Sequence, residues 1–214
     1  MNRVVGLGFE HDGHAGLADE VFDLYRSAGI ARFLVLWSPA ANPDIRARLD
    51  VLGCRPVHRM AKLYRRPSPD LKAPTDLEIA LIEPQNALEY GETVASGHGD
   101  PPALAAAHSA TVGRPNWRHY LAWHGGRPIA GATLYAHDGA GWCGFGATLP
   151  DERGRGAHTA LLARRISDAA ASGCEWVVCE TTEDRPEHPN AAYRNMRRAG
   201  FELAYLRDVL IAET

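Results

Sequence analysis

Cysteine is scarce: the 214 residues hold four. Cys54, Cys143, Cys174 and Cys179 are scattered, with no Cys-x-x-Cys pair, and read as small core residues of a reduced, cytoplasmic protein. Excess charge is also lacking. A net charge of −3 gives no reason to expect nucleic acid or an acidic membrane as partner. No apolar run approaches membrane-spanning length. The amino end, Met1-Asn2-Arg3-Val4-Val5-Gly6, lacks the apolar core of a signal peptide. What remains is 45% hydrophobic and 23% charged, the make-up of a soluble globular chain long enough for one large domain or two small ones. Ten histidines invite a metal. Their best seed, His11-Asp12-Gly13-His14, has no third ligand nearby, so no metal is expected.

Hydrophobic periodicity and the glycines and prolines divide the chain. Arg3–Phe9 reads as a strand, Leu17–Ala28 as a helix closed by Gly29, and Ala31–Trp37 as a buried strand. Asp44–Leu52 is a helix closed by Gly53, and Arg55–Arg65 a strand. Pro67, Pro69 and Pro74 interrupt helix and sheet, marking residues 67–74 as a linker between parts 1–66 and 75–214. The second part opens with strand Asp76–Ile82 and helices Ala87–Ser96 and Ala103–Thr111. Strands Trp117–His124, Pro128–Tyr135 and Trp142–Leu149 follow, turning at Gly125-Gly126 and Asp138-Gly139. Helix Thr159–Ser172, strand Cys174–Glu180, helix Asn190–Arg198 and strand Glu202–Ile211 complete an α/β chain.

The junction Leu149–Leu162 carries the chemistry. Arg153, Gly154, Arg155 and Gly156 sit where a strand hands over to a helix, followed by Ala157, His158 and Thr159. Such a junction aims unpaired N–H groups and the positive end of a helix dipole at one spot, which suits an anion. Glycine allows a tight bend and close approach, and arginine brings forked donors for phosphate. The run reads as a pyrophosphate cradle, against the plainer alternative of a basic surface turn. It is neither a P-loop, since no Lys-Ser/Thr follows, nor a dinucleotide fingerprint, since the third glycine is missing.

This run resembles the acyl-CoA loop of the GNAT N-acyltransferase superfamily, Arg/Gln-x-x-Gly-x-Gly/Ala, with Arg153 and Gly156 matching and His158 departing from the usual small residue. Asn190-x-x-Tyr193 and Arg198-Ala199-Gly200-Phe201 lie at the family's usual distance. The resemblance spans residues 75–214 and implies the GNAT fold, with a mixed sheet and acyl transfer from acetyl-CoA or another acyl-CoA to a small-molecule or peptide amine. It implies cofactor contacts by Arg153, Gly154, Arg155, Gly156, Ala157, His158, Thr159 and Asn190. It also implies pairing of the pantetheine with the strand edge at Ala147, Thr148 and Leu149, where an N–H would stabilise the oxyanion. Glu180 is the candidate base, with Glu89, Glu92 and His137 behind it; its plainer role is capping Thr181 and Thr182. The family's acid, a tyrosine four residues before the Gly-Phe pair, is Met196 here. Tyr193, one turn earlier, either substitutes or lines the cofactor channel. Asn190 also suits a helix cap. The competing function is a CoA-binding module or sensor that has lost catalysis.

An internal echo runs through the chain. Ser27-Ala28-Gly29-Ile30 resembles Ala171-Ser172-Gly173-Cys174, Leu52-Gly53-Cys54-Arg55 resembles Ala199-Gly200-Phe201-Glu202, and Gly6-Leu7-Gly8-Phe9 resembles Gly144-Phe145-Gly146-Ala147. The late copy is longer by the length of Arg153–His158. Residues 1–66 thus read as a degenerate GNAT-like half with the cradle deleted. Its sheet edge needs a cover, from the second part or from another subunit of a homodimer.

Overall fold

A computed structural model describes residues 2–9, 14–71 and 73–214. The elements run β1 (Arg3–Val5), α1 (Gly16–Ser27), β2 (Arg32–Trp37), α2 (Pro43–Val51), β3 (Arg55–Arg65), β4 (Glu78–Leu81), α3 (Ala87–His98), α4 (Ala105–Ser109), β5 (Trp117–His124), β6 (Arg127–His137), β7 (Ala140–Thr148), α5 (Ala157–Ala171), β8 (Trp176–Thr182), α6 (Ala191–Arg198) and β9 (Glu202–Glu213). They form two compact units that are not consecutive in sequence. One comprises Met1–Lys62, Thr181–Asn190 and Leu203–Thr214; the other, Leu63–Glu180 and Ala191–Glu202.

The first unit is built on β2. Phe33, Val35 and Trp37 alternate onto one buried face. They meet Ala18 and Phe22 of α1, Ile45 and Leu49 of α2, and Leu210 and Ala212 of β9. Phe33 stacks on Tyr25 at 4.0 Å between ring centroids. Helix α2 starts where its sequence dictates: the Asn42 side chain accepts from the Asp44 N–H at 2.9 Å, with Pro43 at the first position. β1 runs parallel to β2, and β9 antiparallel to it, with Arg32 opposite Glu213 and Trp37 opposite Asp208. The cover that β2's edge needs is therefore the last strand of the same chain. β1 stops at Val5, short of the expected Phe9, because Gly6 and Gly8 take φ of +81° and +80°. Gly8 and Gly146 accordingly do not match, since Gly146 lies within β7. Nor do Gly6 and Gly144, for the same reason. The glycines that follow helices share a local geometry. After α1, α2, α5 and α6 the chain turns at Gly29, Gly53, Gly173 and Gly200. The next N–H then bonds five residues back: Ile30 to Tyr25, Cys54 to Leu49, Cys174 to Ala169 and Phe201 to Met196, at 2.9–3.1 Å.

In the second unit β4, β5, β6 and β7 pair antiparallel in sequence order, and β8 joins β7 in parallel. Alternation along the strands sorts two faces. Tyr120 of β5 donates to Asp168 of α5 at 2.8 Å, while its neighbour His119 meets the Tyr90 ring of α3 edge-on. The Ser167 hydroxyl of α5 donates to the Pro69 carbonyl at 2.7 Å. No described helix is long and apolar enough to cross a membrane.

Candidate active site

The strand-to-helix junction of the second unit folds as an open turn. α5 begins at Ala157, two residues before the expected Thr159, with Gly156 just ahead of it at φ +80° and Gly154 at +86°. No side chain caps this helix. Among the described residues, the N–H groups from Gly154 to Thr159 donate to no protein acceptor; the first bond of the helix is Ala160 N–H to the Gly156 carbonyl. An ideal Cβ at either glycine would touch nothing within 4 Å. Both arginines turn to protein neighbours. Arg153 Nη2 donates to the Gly97 carbonyl at the end of α3, 3.3 Å away. Arg155 Nε lies 2.8 Å from Glu152 Oε2, off the line of a hydrogen bond, and Arg127 also pairs with Glu152. The arginine heads tie the turn to its neighbours, and the peptide N–H groups are left without a protein acceptor.

Next to the turn, two strands part. β7 and β8 pair from Ala140/Trp176 only to Cys143/Cys179, while β7 continues to Thr148 and β8 to Thr182. On its other side β7 stays paired to β6, through a bulge: Gly131 opposes Ala147, but Thr133 opposes Gly144. Phe145, in that bulge, holds φ +48°. Leu149 N–H donates to the Ile129 carbonyl at 2.9 Å, and the Leu149 carbonyl accepts from Glu152 N–H. Both backbone groups of Leu149 are thus engaged, and the free edge is narrower than Ala147–Leu149. By alternation Thr148 N–H points to the side β8 has left. Above it α3 comes so close that a Cβ on Gly97 would stand 2.9 Å from Ala147 Cβ and 3.1 Å from Thr148 N.

Arg165, missed in the sequence, lies under the bulge. It is 2% exposed, donating from Nη1 to the Thr133 and Gly144 carbonyls (3.3 and 3.2 Å) and from Nε to the Leu161 carbonyl (3.0 Å). The available signal was an arginine in the apolar stripe Leu161–Arg165–Ala169. His158 turns its ring to Asn195 of α6, Nδ1 to Nδ2 3.3 Å. Burial, then the Arg165 charge, push its pKa down to about 4, so the ring is neutral and adds no cation for a phosphate.

The remaining candidates lie on β8 and α6. Glu180 follows the last paired residue of β8, half-buried. Tyr193 is half-buried on α6. Met196 is buried, its Sδ 3.4 Å from Cys179 Sγ, so the position of the family's tyrosine is core. The Asn190 amide donates to Thr182 O (2.6 Å) and Thr181 Oγ1 (3.0 Å), fastening the 181–190 segment of the first unit. His11, Asp12 and Gly13 of the metal seed fall outside the described residues; among those described, no cluster of His, Cys, Asp or Glu could hold a metal.

His119 adds a pH dependence to stability. It is 2% exposed, beside Thr111 Oγ1 at 2.9 Å, and burial pushes its pKa down to about 4. The unfolded chain protonates near 6.5. Stability therefore holds above that pH and falls as pH drops toward 4, by up to roughly 3 kcal/mol. Urea unfolding at pH 7 and pH 4.5 should show the loss, and His119→Gln should reduce it, leaving the part due to His158, which burial shifts in the same direction; equal pH slopes in both proteins would refute the assignment.

The sequence profile of the acetyltransferase (GNAT) family matches residues 86–201, more than half of the chain. No curated protein matches by sequence. Among solved structures, a GCN5-related N-acetyltransferase from Sphaerobacter thermophilus aligns with a TM-score of 0.69 at 17% identity, over 92% of this chain and 68% of that one. A GCN5-related N-acetyltransferase from Kribbella flavida gives 0.69 at 18%, over 98% and 80%. A tandem GNAT protein from the clavulanic acid biosynthesis pathway gives 0.66 at 17%, over 94% and 69%. At these identities the likeness is one of fold.

Proposed function

We propose that this chain, which belongs to the GNAT family of acetyltransferases, moves an acyl group, acetyl first among them, from acyl-CoA to a primary amine. The observation that carries this reading is the fan of unpaired N–H groups from Gly154 to Thr159 at the start of α5, beside the gap where β8 leaves β7. A helix start with open space above its glycines fits a diphosphate. The gap suits an extended amide chain such as pantetheine, with Thr148 as the pairing residue. A peptide N–H of β7 then stabilises the thioester oxyanion, a contribution of about 3–4 kcal/mol where such donors have been removed. Glu180 binds the incoming ammonium. With Met196 in the core, the acid role falls to Tyr193, or the thiolate leaves unaided, since a thiol pKa of about 8.5 makes it a tolerable leaving group.

Residues 1–66 are the closing half of the same fold in degenerate form, and are structural. Their helix ends repeat those of α5 and α6, and between β1 and α1 they have no arginine at all. The tandem GNAT protein of similar fold supports that reading.

Titration with acetyl-CoA, followed by thiol release over a panel of spermidine, glucosamine, tryptamine and a lysyl peptide, tests the proposal. Binding with amine-dependent thiol release is the expected result. Binding with no amine acylated would make the chain a CoA sensor, and no binding would dispose of the reading.

A further inference from the structure

The turn leaving α3 and the short α4 bring Asp100 and His108 together, Oδ2 to Nε2 3.0 Å, with side chains 32% and 12% exposed. The pair stands over the bulged stretch of β7: the His108 ring meets Phe145 edge-on, 5.2 Å between centroids. The end of α3 abuts Ala147 and Thr148 of the same strand. His108 therefore lies beside the part of β7 that β8 leaves unpaired.

We propose that His108, oriented by Asp100, is the base that deprotonates the acceptor amine; this rests on the acyltransferase reading above. A carboxylate only accepts, so His108 Nε2 carries its hydrogen and Nδ1 keeps the lone pair. Among the described residues Nδ1 has no hydrogen-bond partner. The titratable groups facing the ring are Asp100, from the turn after α3, and His98, from the last turn of α3, 6.1 Å between centroids. β7 contributes only the uncharged Phe145. Burial holds His98 below the usual histidine range, so it sets no cation against a protonated His108. In the step, an N–H bond of the ammonium breaks and its proton passes to Nδ1. The freed lone pair forms the C–N bond at the thioester carbonyl, the C–S bond breaks with its electron pair going to sulfur, and the nitrogen, cationic after the attack, gives its second proton to the departing thiolate. His108 returns its proton to water. The pair was invisible in the sequence because its members lie on separate elements and meet only in space.

The test is kcat/KM against pH for the wild type, His108→Gln and Asp100→Asn, with acetyl-CoA and the best amine of the panel, beside melting temperature and the Kd for acetyl-CoA. His108→Gln should lose about 100-fold or more in kcat/KM, keep its Kd within about twofold and lose the acidic limb of the profile. Asp100→Asn should lower kcat/KM by at least about tenfold at unchanged Kd, because the ring loses the partner that holds its hydrogen on Nε2 and leaves Nδ1 free. Should His108→Gln fail to fold, Asp100→Asn decides. A hydrazide acceptor, neutral at pH 7, should lose far less than the amine in either variant. Unchanged kcat/KM in folded His108→Gln or in Asp100→Asn overturns the proposal and leaves the acyltransferase reading standing. A wild type that acylates no amine overturns both.

Discussion

Gly156→Glu binds acetyl-CoA at least about 30-fold more weakly than the wild type, and remains folded. The Cβ of residue 156 enters open space, so nothing in the protein has to move. The cost to the fold is the φ of +80°, a left-handed conformation worth about 1–2 kcal/mol against a non-glycine residue. In a chain of this length that lowers the melting temperature by about 2–8 °C. The cost to binding is larger. A carboxylate about 5 Å from two phosphate charges is opposed by about 2–7 kcal/mol in total, between the dielectric of water and that of a protein surface. It also fills the space toward which the free N–H groups point. Gly156→Ala separates the two effects, sharing the backbone strain without the charge. Calorimetric titration of all three proteins with acetyl-CoA, beside their melting curves, checks the prediction. Equal affinity in the Ala and Glu variants would place the diphosphate elsewhere.

That the glycine turn is legible in the sequence, and the contacts of its arginines are not, has one physical cause. Glycines at 154 and 156 next to an amphipathic run report a local backbone event, and local events are written locally. The same holds for the helix ends at Gly29, Gly53, Gly173 and Gly200, and for β3, whose bounds agree with the sequence pattern. Where a long side chain reaches is not local: Arg153 finds a carbonyl of α3, distant in sequence. Nor is the choice of strand partner. Val209, Leu210 and Ala212 of β9 suit a buried strand, yet nothing in them names β2 as its neighbour. The bulge at Phe145 hides for a related reason. Trp142–Leu149 reads as an unbroken strand, and the slip is visible only against the register of β6.

Arg165→Met should lower both stability and turnover, because Arg165 supports that bulge from beneath. In a regular ladder the strand carbonyls find their partners in the neighbouring strand. Where two residue steps on β6 face three on β7, that accounting breaks locally, and the Thr133 and Gly144 carbonyls turn to Arg165 Nη1. Methionine fills a similar volume but donates nothing. Each buried carbonyl left without a partner costs about 1–3 kcal/mol, offset in part because the buried cation, which has no carboxylate partner among the described residues, is removed as well. A net loss of about 2–4 kcal/mol is expected, or about 5–15 °C in melting temperature. The bulge also sets where the peptide groups of β7 point just before Thr148, so kcat/KM should fall at least about tenfold in protein that is still folded at the assay temperature. Arg165→Lys, which keeps the charge and one reach toward the carbonyls, should recover part of each loss. If Arg165→Met melts and turns over like the wild type, the backbone alone holds the bulge, and the orientation of the free strand edge owes nothing to the buried guanidinium.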